Sequence, residues 1–257
     1  MTIGMSCTSF SANPVEDWLI PVFEEFDHWE IFSEAFHSVL YHAGEMEDLL
    51  PSYDMSYSIH APICDVNVAA LSDCMREASI NEIVRTAEMA ADLDIRLLTV
   101  HPGLYSLSVA GLEAHTIEIA KDSMRYLDRA AEEYGVTMAI ENMPSMPYFV
   151  GRTAAQLAEI IEGTGLSVCF DIGHANLTGQ IDAMIDMFGD RIANIHIHDN
   201  RGDADSHMTI GEGSIDFPRV LRRLSGCGAN YIIESKSFDS AVESQSRLDR
   251  LLSSLSS

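Results

Sequence analysis

Short runs of consecutive apolar residues alternate along this chain with longer stretches in which apolar positions recur every three or four residues. The runs "TIGMSC", "WEIFSEA", "MSYSIHAP", "LLTVHPG", "VTMAIEN", "SVCFDIGHA", "IANIHIHDN" and "YIIESKS" predict strands. They are nearly continuous in hydrophobicity, as a strand must be when both its faces are buried. Between them, "SINEIVRTAEMAADLD", "IEIAKDSMRYLDRAAEEYG" and "TAAQLAEIIEGTG" predict helices. In the second, Ile117, Ile119, Ala120, Met124, Leu127 and Ala131 approximate a stripe of helical period, and Gly135 stands where a left-handed C-cap belongs. Thr153 is the expected N-cap of the third. Eight strand–helix units fill residues 1–257 with no linker, low-complexity tract or clear repeat. That pattern predicts the α/β class and a single-domain (β/α)8 TIM barrel. A doubly wound open sheet is the alternative, but no GxGxxG follows the first strand.

Composition narrows the function. A chain of 257 residues with 47% hydrophobic content can bury a sizeable core. It has no run near the roughly 18 apolar residues of a membrane span, and "MTIGMSCTSF" lacks the basic start and apolar stretch of a signal peptide. A cytoplasmic protein without membrane partners is expected. Cys7, Cys64, Cys74, Cys169 and Cys227 are odd in number and form no CxxC pair, so they read as free thiols. Forty acidic residues face fifteen basic ones, the only lysines being Lys121 and Lys236, and the net charge is −25. Nucleic-acid binding rests largely on Lys and Arg displacing counterions at phosphates, so this balance argues against nucleic acid as a partner. A well-solvated acidic surface suited to a salty cytoplasm explains the same charge.

The polar residues fall in a telling place. Each predicted strand from the third to the eighth ends in a side chain able to bind metal: His60 in "SIHAP", His101 in "TVHPG", Glu141 in "AIEN", Asp171 in "FDIGHA", His196 in "HIHDN" and Glu234 in "IIES". Any one has a bland explanation as a hydrogen-bonded or solvated rim residue. Six at the same relative position converge on one pocket if the strands close into a barrel. Such crowding carries a desolvation cost that divalent cations remove. Imidazole with carboxylate favours Zn2+, Mn2+ or Fe2+ over Mg2+. His174 in "DIGHA", and Asp205 and His207 in "DADSHMTIGEG", lie just beyond strand ends, and Gly211 and Gly213 let that last loop fold back.

This ordered set, over essentially the whole chain, resembles the xylose isomerase-like TIM-barrel superfamily and in particular its endonuclease IV branch (AP endonuclease family 2). The resemblance implies up to three zinc ions in the barrel mouth: one on His60, His101 and Glu141; a second on Glu141, Asp171, His196 and Glu234; a third on His174, Asp205 and His207. His198 is then expected to contact substrate or to support a ligand. Arg152 and Arg201, after the fifth and seventh strands, are candidates to hold an anionic substrate group. The same superfamily contains sugar isomerases and epimerases, which resemble this chain at the second set and use one metal.

Two departures bear on the substrate. The second strand runs into "FSEAF", with Glu34, and the loop after His60 reads "APICDVNVA", with Ile63 and Asp65. Neither suits insertion into a base stack or a grip on backbone phosphate, which sets abasic-site cleavage below other readings. The first expectation is therefore a metal-dependent phosphoesterase or phosphodiesterase acting on a small or medium phosphorylated substrate, with Glu141, Asp171 and Glu234 as catalytic carboxylates. The alternative is a one-metal isomerase or epimerase of a sugar or sugar phosphate, with Glu141 and Glu234 as the acid–base pair. A third is a binding protein that kept the fold without the reaction. His28, His37, His42 and His115 read as ordinary surface histidines, and most methionines as core filler.

Overall fold

The apolar runs are strands because each is sandwiched between a ring of helices and a filled interior. A computed structural model describes residues 2–255. Eight parallel strands close into a barrel in sequence order: β1 (Ile3–Ser6), β2 (His28–Phe32), β3 (Ser56–His60), β4 (Leu97–Val100), β5 (Thr137–Glu141), β6 (Ser167–Asp171), β7 (Ile192–Ile197) and β8 (Asn230–Glu234), with β8 pairing back to β1. The helices are α1 (Glu16–Glu25), α2 (Ala43–Leu49), α3 (Asp73–Asp92), α4 (Glu113–Tyr134), α5 (Ala154–Ile160), α6 (Ile172–Thr178), α7 (Ile181–Phe188), α8 (Phe217–Arg223) and α9 (Phe238–Leu255). Among the described residues, no helix is long and apolar enough to cross a membrane.

Local signals explain the helix ends. Gly135 caps α4 at φ +63°, and Ile117, Ala120, Met124, Leu127 and Ala131 of the expected stripe are buried, while Ile119 is half-buried. The Thr153 hydroxyl accepts the Gln156 N–H at 3.2 Å and so starts α5. Asp171, the last residue of β6, also caps α6 by accepting the His174 N–H at 2.6 Å.

The barrel interior departs from the branched aliphatic filling usual for this architecture. Its middle holds Glu30, Ser58, Thr99 and Asn194, each fully buried. Glu30 accepts hydrogen bonds from Ser58 Oγ at 2.9 Å and Asn194 Nδ2 at 2.7 Å, and the same Asn194 amide lies 3.0 Å from Thr99 Oγ1. Towards the N-terminal ends of the strands, His28 lies 2.8 Å from Ser56 Oγ and 2.9 Å from Ser58 Oγ. Gly4 on the adjacent strand makes room for that ring, since a Cβ there would collide with His28. His28 and His37 are thus core residues and not surface ones, His37 packing edge-on against Trp29. His42 is half-buried and His115 is exposed.

Burial lowers both core histidines to about 4. A histidine whose folded pKa lies below its unfolded value is neutral in the fold and charged in the unfolded chain between the two. Its contribution is therefore intact above about pH 6.5 and is lost as pH falls towards about 4. Each ring should cost about 2 kcal/mol of stability between about pH 7.5 and pH 5. In urea titrations at the two pH values, His28→Gln and His37→Gln should each lose less stability than the wild type. An equal loss in all three would show that the rings are already protonated or solvated in the fold.

Candidate metal centre

Barrel closure carries the strand ends to one mouth, and the polar residues at those ends meet there. Glu141, buried at the end of β5, is the hub. Its Oε2 lies 3.0 Å from His101 Nε2 and 3.4 Å from His60 Nε2, and its Oε1 lies 3.3 Å from His174 Nδ1 and 3.4 Å from His196 Nδ1. His196 Nδ1 is also 3.2 Å from Glu234 Oε1 and 3.9 Å from Asp171 Oδ2. Asp205 Oδ2 lies 3.2 Å from His174 Nε2 and 3.3 Å from His207 Nε2. Three groups result whose ligand atoms are close enough to hold a metal ion: His60, His101 and Glu141; Glu141, Asp171, His196 and Glu234; and His174, His198, Asp205 and His207.

The hydrogen-bond network selects which ring nitrogen is free in three of these histidines. His60 Nδ1 is engaged by the Ala61 carbonyl at 2.9 Å, which leaves Nε2 facing Glu141. His174 Nδ1 is engaged by the Asn142 carbonyl at 2.9 Å, which leaves Nε2 facing Asp205. His196 Nε2 is engaged by Glu30 Oε1 at 2.7 Å, which leaves Nδ1 facing Glu141, Asp171 and Glu234. A metal-binding histidine is held in this way, one nitrogen oriented by a carbonyl or carboxylate and the other presented.

Cations fit this donor set on a second ground. Glu141 Oε2, Asp171 Oδ2, His196 Nδ1, both ring nitrogens of His198 and Asp205 Oδ1 are buried without a hydrogen-bond partner. Orphaned polar atoms are costly in a protein interior, and the carboxylate oxygens among these, crowded into one cluster, call for a positive occupant. The protons show the same pull. Burial would raise Glu141, but the imidazoles of His101 and His196 hold it well below the usual carboxylate range. Burial would lower His196 and His174, yet both sit well above the usual histidine value because carboxylates surround them. His60 is raised while His101 is lowered: burial opposes the charge on each, and Glu30 adds to Glu141 only beside His60.

Above the cluster lies a cavity of about 170 Å³ rimmed by Thr8, Phe32, Ile63, Met143, Met146 and Phe149. A larger concavity of about 1040 Å³ opens at the N-terminal ends of the strands beside Asp27, Asp54 and Asp249, far from every metal-capable group. Of the residues expected to bind substrate, His198 is buried below the cavity, Arg201 is exposed, and Arg152 is half-buried with a guanidinium nitrogen 3.5 Å from the Ser145 carbonyl. Neither arginine lines the mouth cavity. Glu34 takes a structural part, accepting the N–H groups of Ile63 and Cys64 at 2.7 Å each and so pinning the loop after β3.

Two contributors escape a reading of strand ends. Asn142 clamps Asp171 by both donating to its carbonyl and accepting its N–H, each at 2.9 Å. Glu30 sits mid-strand in "WEIF", and its signal was a charge inside a segment buried on both faces, which needs a buried partner. Burial would raise Glu30, but His196 keeps it below the ordinary carboxylate value.

Fold and cluster together define a (β/α)8 barrel with a metal-capable mouth. The chain belongs to the xylose isomerase-like TIM barrel family, whose profile matches residues 24–252. It is 30% identical over 98% of its length to the uncharacterized protein MJ1311 of Methanocaldococcus jannaschii, covering 89% of that relative. A probable endonuclease 4 of Staphylococcus carnosus is 28% identical over 70% of this chain and 62% of its own length. The crystal structure of a D-tagatose 3-epimerase-like protein superposes with a TM-score of 0.92 at 28% identity, covering 100% of this chain and 98% of that one.

Glu30 should matter through His196. Glu30→Gln keeps the shape and removes the charge, so metal affinity should fall about 10- to 100-fold, as for other changes behind a ligand, with the far-ultraviolet circular dichroism unchanged. Calorimetric titration with Zn2+ measures it. Undiminished affinity would mean that packing alone orients His196.

Proposed function

We propose that this protein is a divalent-metal-dependent phosphoesterase acting on a small phosphorylated substrate. The observation that carries the reading is the division of Glu141, one oxygen facing His60 and His101 and the other facing His196 and His174. A carboxylate so placed bridges two ligand sets, the arrangement of a paired-metal site. His60, His101 and Glu141 would hold one ion, and Glu141, Asp171, His196 and Glu234 another. Bound there, zinc or a similar cation supplies charge stabilisation for a phosphoryl group and activation of water at neutral pH.

The chain's own groups do the rest. Asp171 and Glu141 present unpartnered oxygens to orient an attacking water. Glu234, on the rim side of the cluster, is held below the usual carboxylate range because His196 and His207 outweigh its burial, so it stays ionised. Phe32, Ile63, Met143, Met146 and Phe149 shed water from the mouth, which strengthens every electrostatic interaction inside. The cavity of about 170 Å³ suits a phosphoryl group with a short alcohol and not a duplex. No Lys or Arg lines it to neutralise an anion, so that work falls to the cations.

A one-metal epimerase is the second reading. It is supported by the similarity to the D-tagatose 3-epimerase-like protein and by the four-residue group around His196. Glu141 and Glu234 would then exchange protons with a sugar carbon.

Metal content and activity separate the two. Zinc-loaded protein should hold at least two ions per chain and cleave bis(p-nitrophenyl) phosphate or simple phosphomonoesters, with Glu141→Gln losing that activity by several orders of magnitude. One ion per chain together with epimerisation of a ketohexose would replace the first reading by the second. Given the net charge of −25, abasic duplex DNA should bind no more tightly than the roughly 10⁻⁴–10⁻⁶ M of non-specific complexes at physiological salt. Nicking of such DNA at nanomolar enzyme would restore a repair role.

A further inference from the structure

A second cavity adjoins the mouth on the side of His101. It measures about 190 Å³ and lies between α3 and the loops after β3, β4 and β5. Pro62, Val66, Val68, Ile83 and Leu104 wall it, while Ile63, His101 and Phe149 line both this cavity and the mouth. His101 turns Nε2 towards Glu141 at 3.0 Å, and the Phe149 ring stands edge-on to its imidazole with centroids 6.3 Å apart. One residue of the metal cluster thus borders a space that the cluster does not fill.

The lining offers little to a polar guest. Among its side chains only His101 and Tyr148 carry polar atoms, and the Tyr148 hydroxyl already donates to Met146 Sδ at 2.8 Å. Backbone groups at the wall are engaged too. The Leu104 N–H donates to Asn67 Oδ1 at 2.8 Å, its carbonyl accepts from Asn67 Nδ2 at 3.2 Å, and the Gly103 carbonyl accepts the Val150 N–H at 3.1 Å. A hydroxyl or charge placed here would lose its water without gaining a partner, whereas burial favours an apolar group.

The same bonds hold the cavity open in advance. Asn67 ties the loop after β3 to the loop after β4, and an antiparallel bridge joins Leu104 to Phe149. Gly103, at φ +109°, permits the close approach of those loops, since a Cβ there would lie 2.6 Å from that of Ala69. Walls braced from three loops need little ordering by a ligand, so burial there goes into affinity.

We propose that this annex is a substrate subsite for an apolar group, an aromatic ring or a branched alkyl chain. The same molecule would carry the charged end that meets the metal cluster. The inference rests on the phosphoesterase reading and adds the class of alcohol, which is hydrophobic. An apolar cavity of roughly 150 Å³ stays dry and takes up benzene, so about 190 Å³ accommodates one such ring.

Non-hydrolysable phosphonates test it on zinc-loaded protein by calorimetry, without turnover. Benzylphosphonate or 2-phenylethylphosphonate should bind about 10- to 100-fold more tightly than methylphosphonate, the gain for burying one aromatic group. Val66→Phe and Ile83→Phe, which fill the annex from different walls, should each bring that ratio close to one while the zinc content stays that of the wild type. In wild-type protein the Ile83 δ-methyl resonance should shift by ring current with the aromatic phosphonates and stay in place with methylphosphonate. Equal binding of aromatic and methyl phosphonates by the wild type would overturn the subsite and leave the phosphoester reading standing. A preference that survives in both variants, or an Ile83 methyl that does not move, would do the same. Failure of the wild type to bind any of the phosphonates would instead overturn the phosphoester reading, and the subsite with it.

Discussion

The structure depends on one carboxylate that cannot be left alone. Glu141 is almost wholly buried, negatively charged and encircled by four imidazoles at 3.0–3.4 Å. An unpaired buried charge costs several kcal/mol, and breaking a buried pair on one side costs about as much. Asp171, Asp205 and Glu234 crowd the same space. These carboxylates, against the opposing effect of burial, hold His174 and His196 well above the usual histidine value. Those imidazoles must give up protons to bind cations, so metal binding and proton release are coupled.

A cluster this charged needs a rigid support, and the barrel supplies it from below. Glu30, Ser58, Thr99 and Asn194 form a hydrogen-bonded polar layer in which only the Asn194 amide oxygen lacks a partner, and its upper contact is the 2.7 Å hydrogen bond to His196. Polar networks of this kind rigidify a core in proportion to how fully their members are paired. The layer replaces aliphatic packing at the centre of the barrel, and the stability burden shifts to the shell between strands and helices. There Ile59, Leu98, Ile140, Phe170 and Ile195 are fully buried.

Much of this was legible in the sequence because barrel architecture translates position along the chain into position in space. Eight apolar runs punctuated by capped helices implied closure, and closure implied that residues ending the strands share a mouth. Thus His60, His101, Glu141, Asp171, His196 and Glu234 could be grouped without coordinates, and all six meet in the structure. Position within a strand was harder to read. Glu30 looks like one more polar residue in "WEIFSEA", and only the inward direction of its side chain makes it a partner of His196. His28 and His37 looked like surface residues because nothing local announces that Gly4 vacates space for one ring or that Trp29 covers the other. Arg152 and Arg201 follow mouth-side strand ends, but neither is among the residues that line the cavity. Loops are set by contacts distant in sequence, which no short motif encodes.

The surface and the mouth carry opposite demands, and that opposition constrains the substrate. A net charge of −25 raises the local concentration of divalent cations and repels polyanions over the length of a duplex. The field at the mouth reverses locally only when cations occupy the cluster, and at physiological salt it is screened beyond about 8 Å. On the phosphoesterase reading proposed above, an anionic substrate must therefore be small enough to bring its charge within that distance without laying the rest along an acidic face. The rim of Phe32, Ile63, Met146 and Phe149 adds a second filter, since apart from the Thr8 hydroxyl it offers no side-chain partner to hydroxyls or further charges outside the cluster. On that same reading, charge at one end and little polarity elsewhere is the chemistry that passes both.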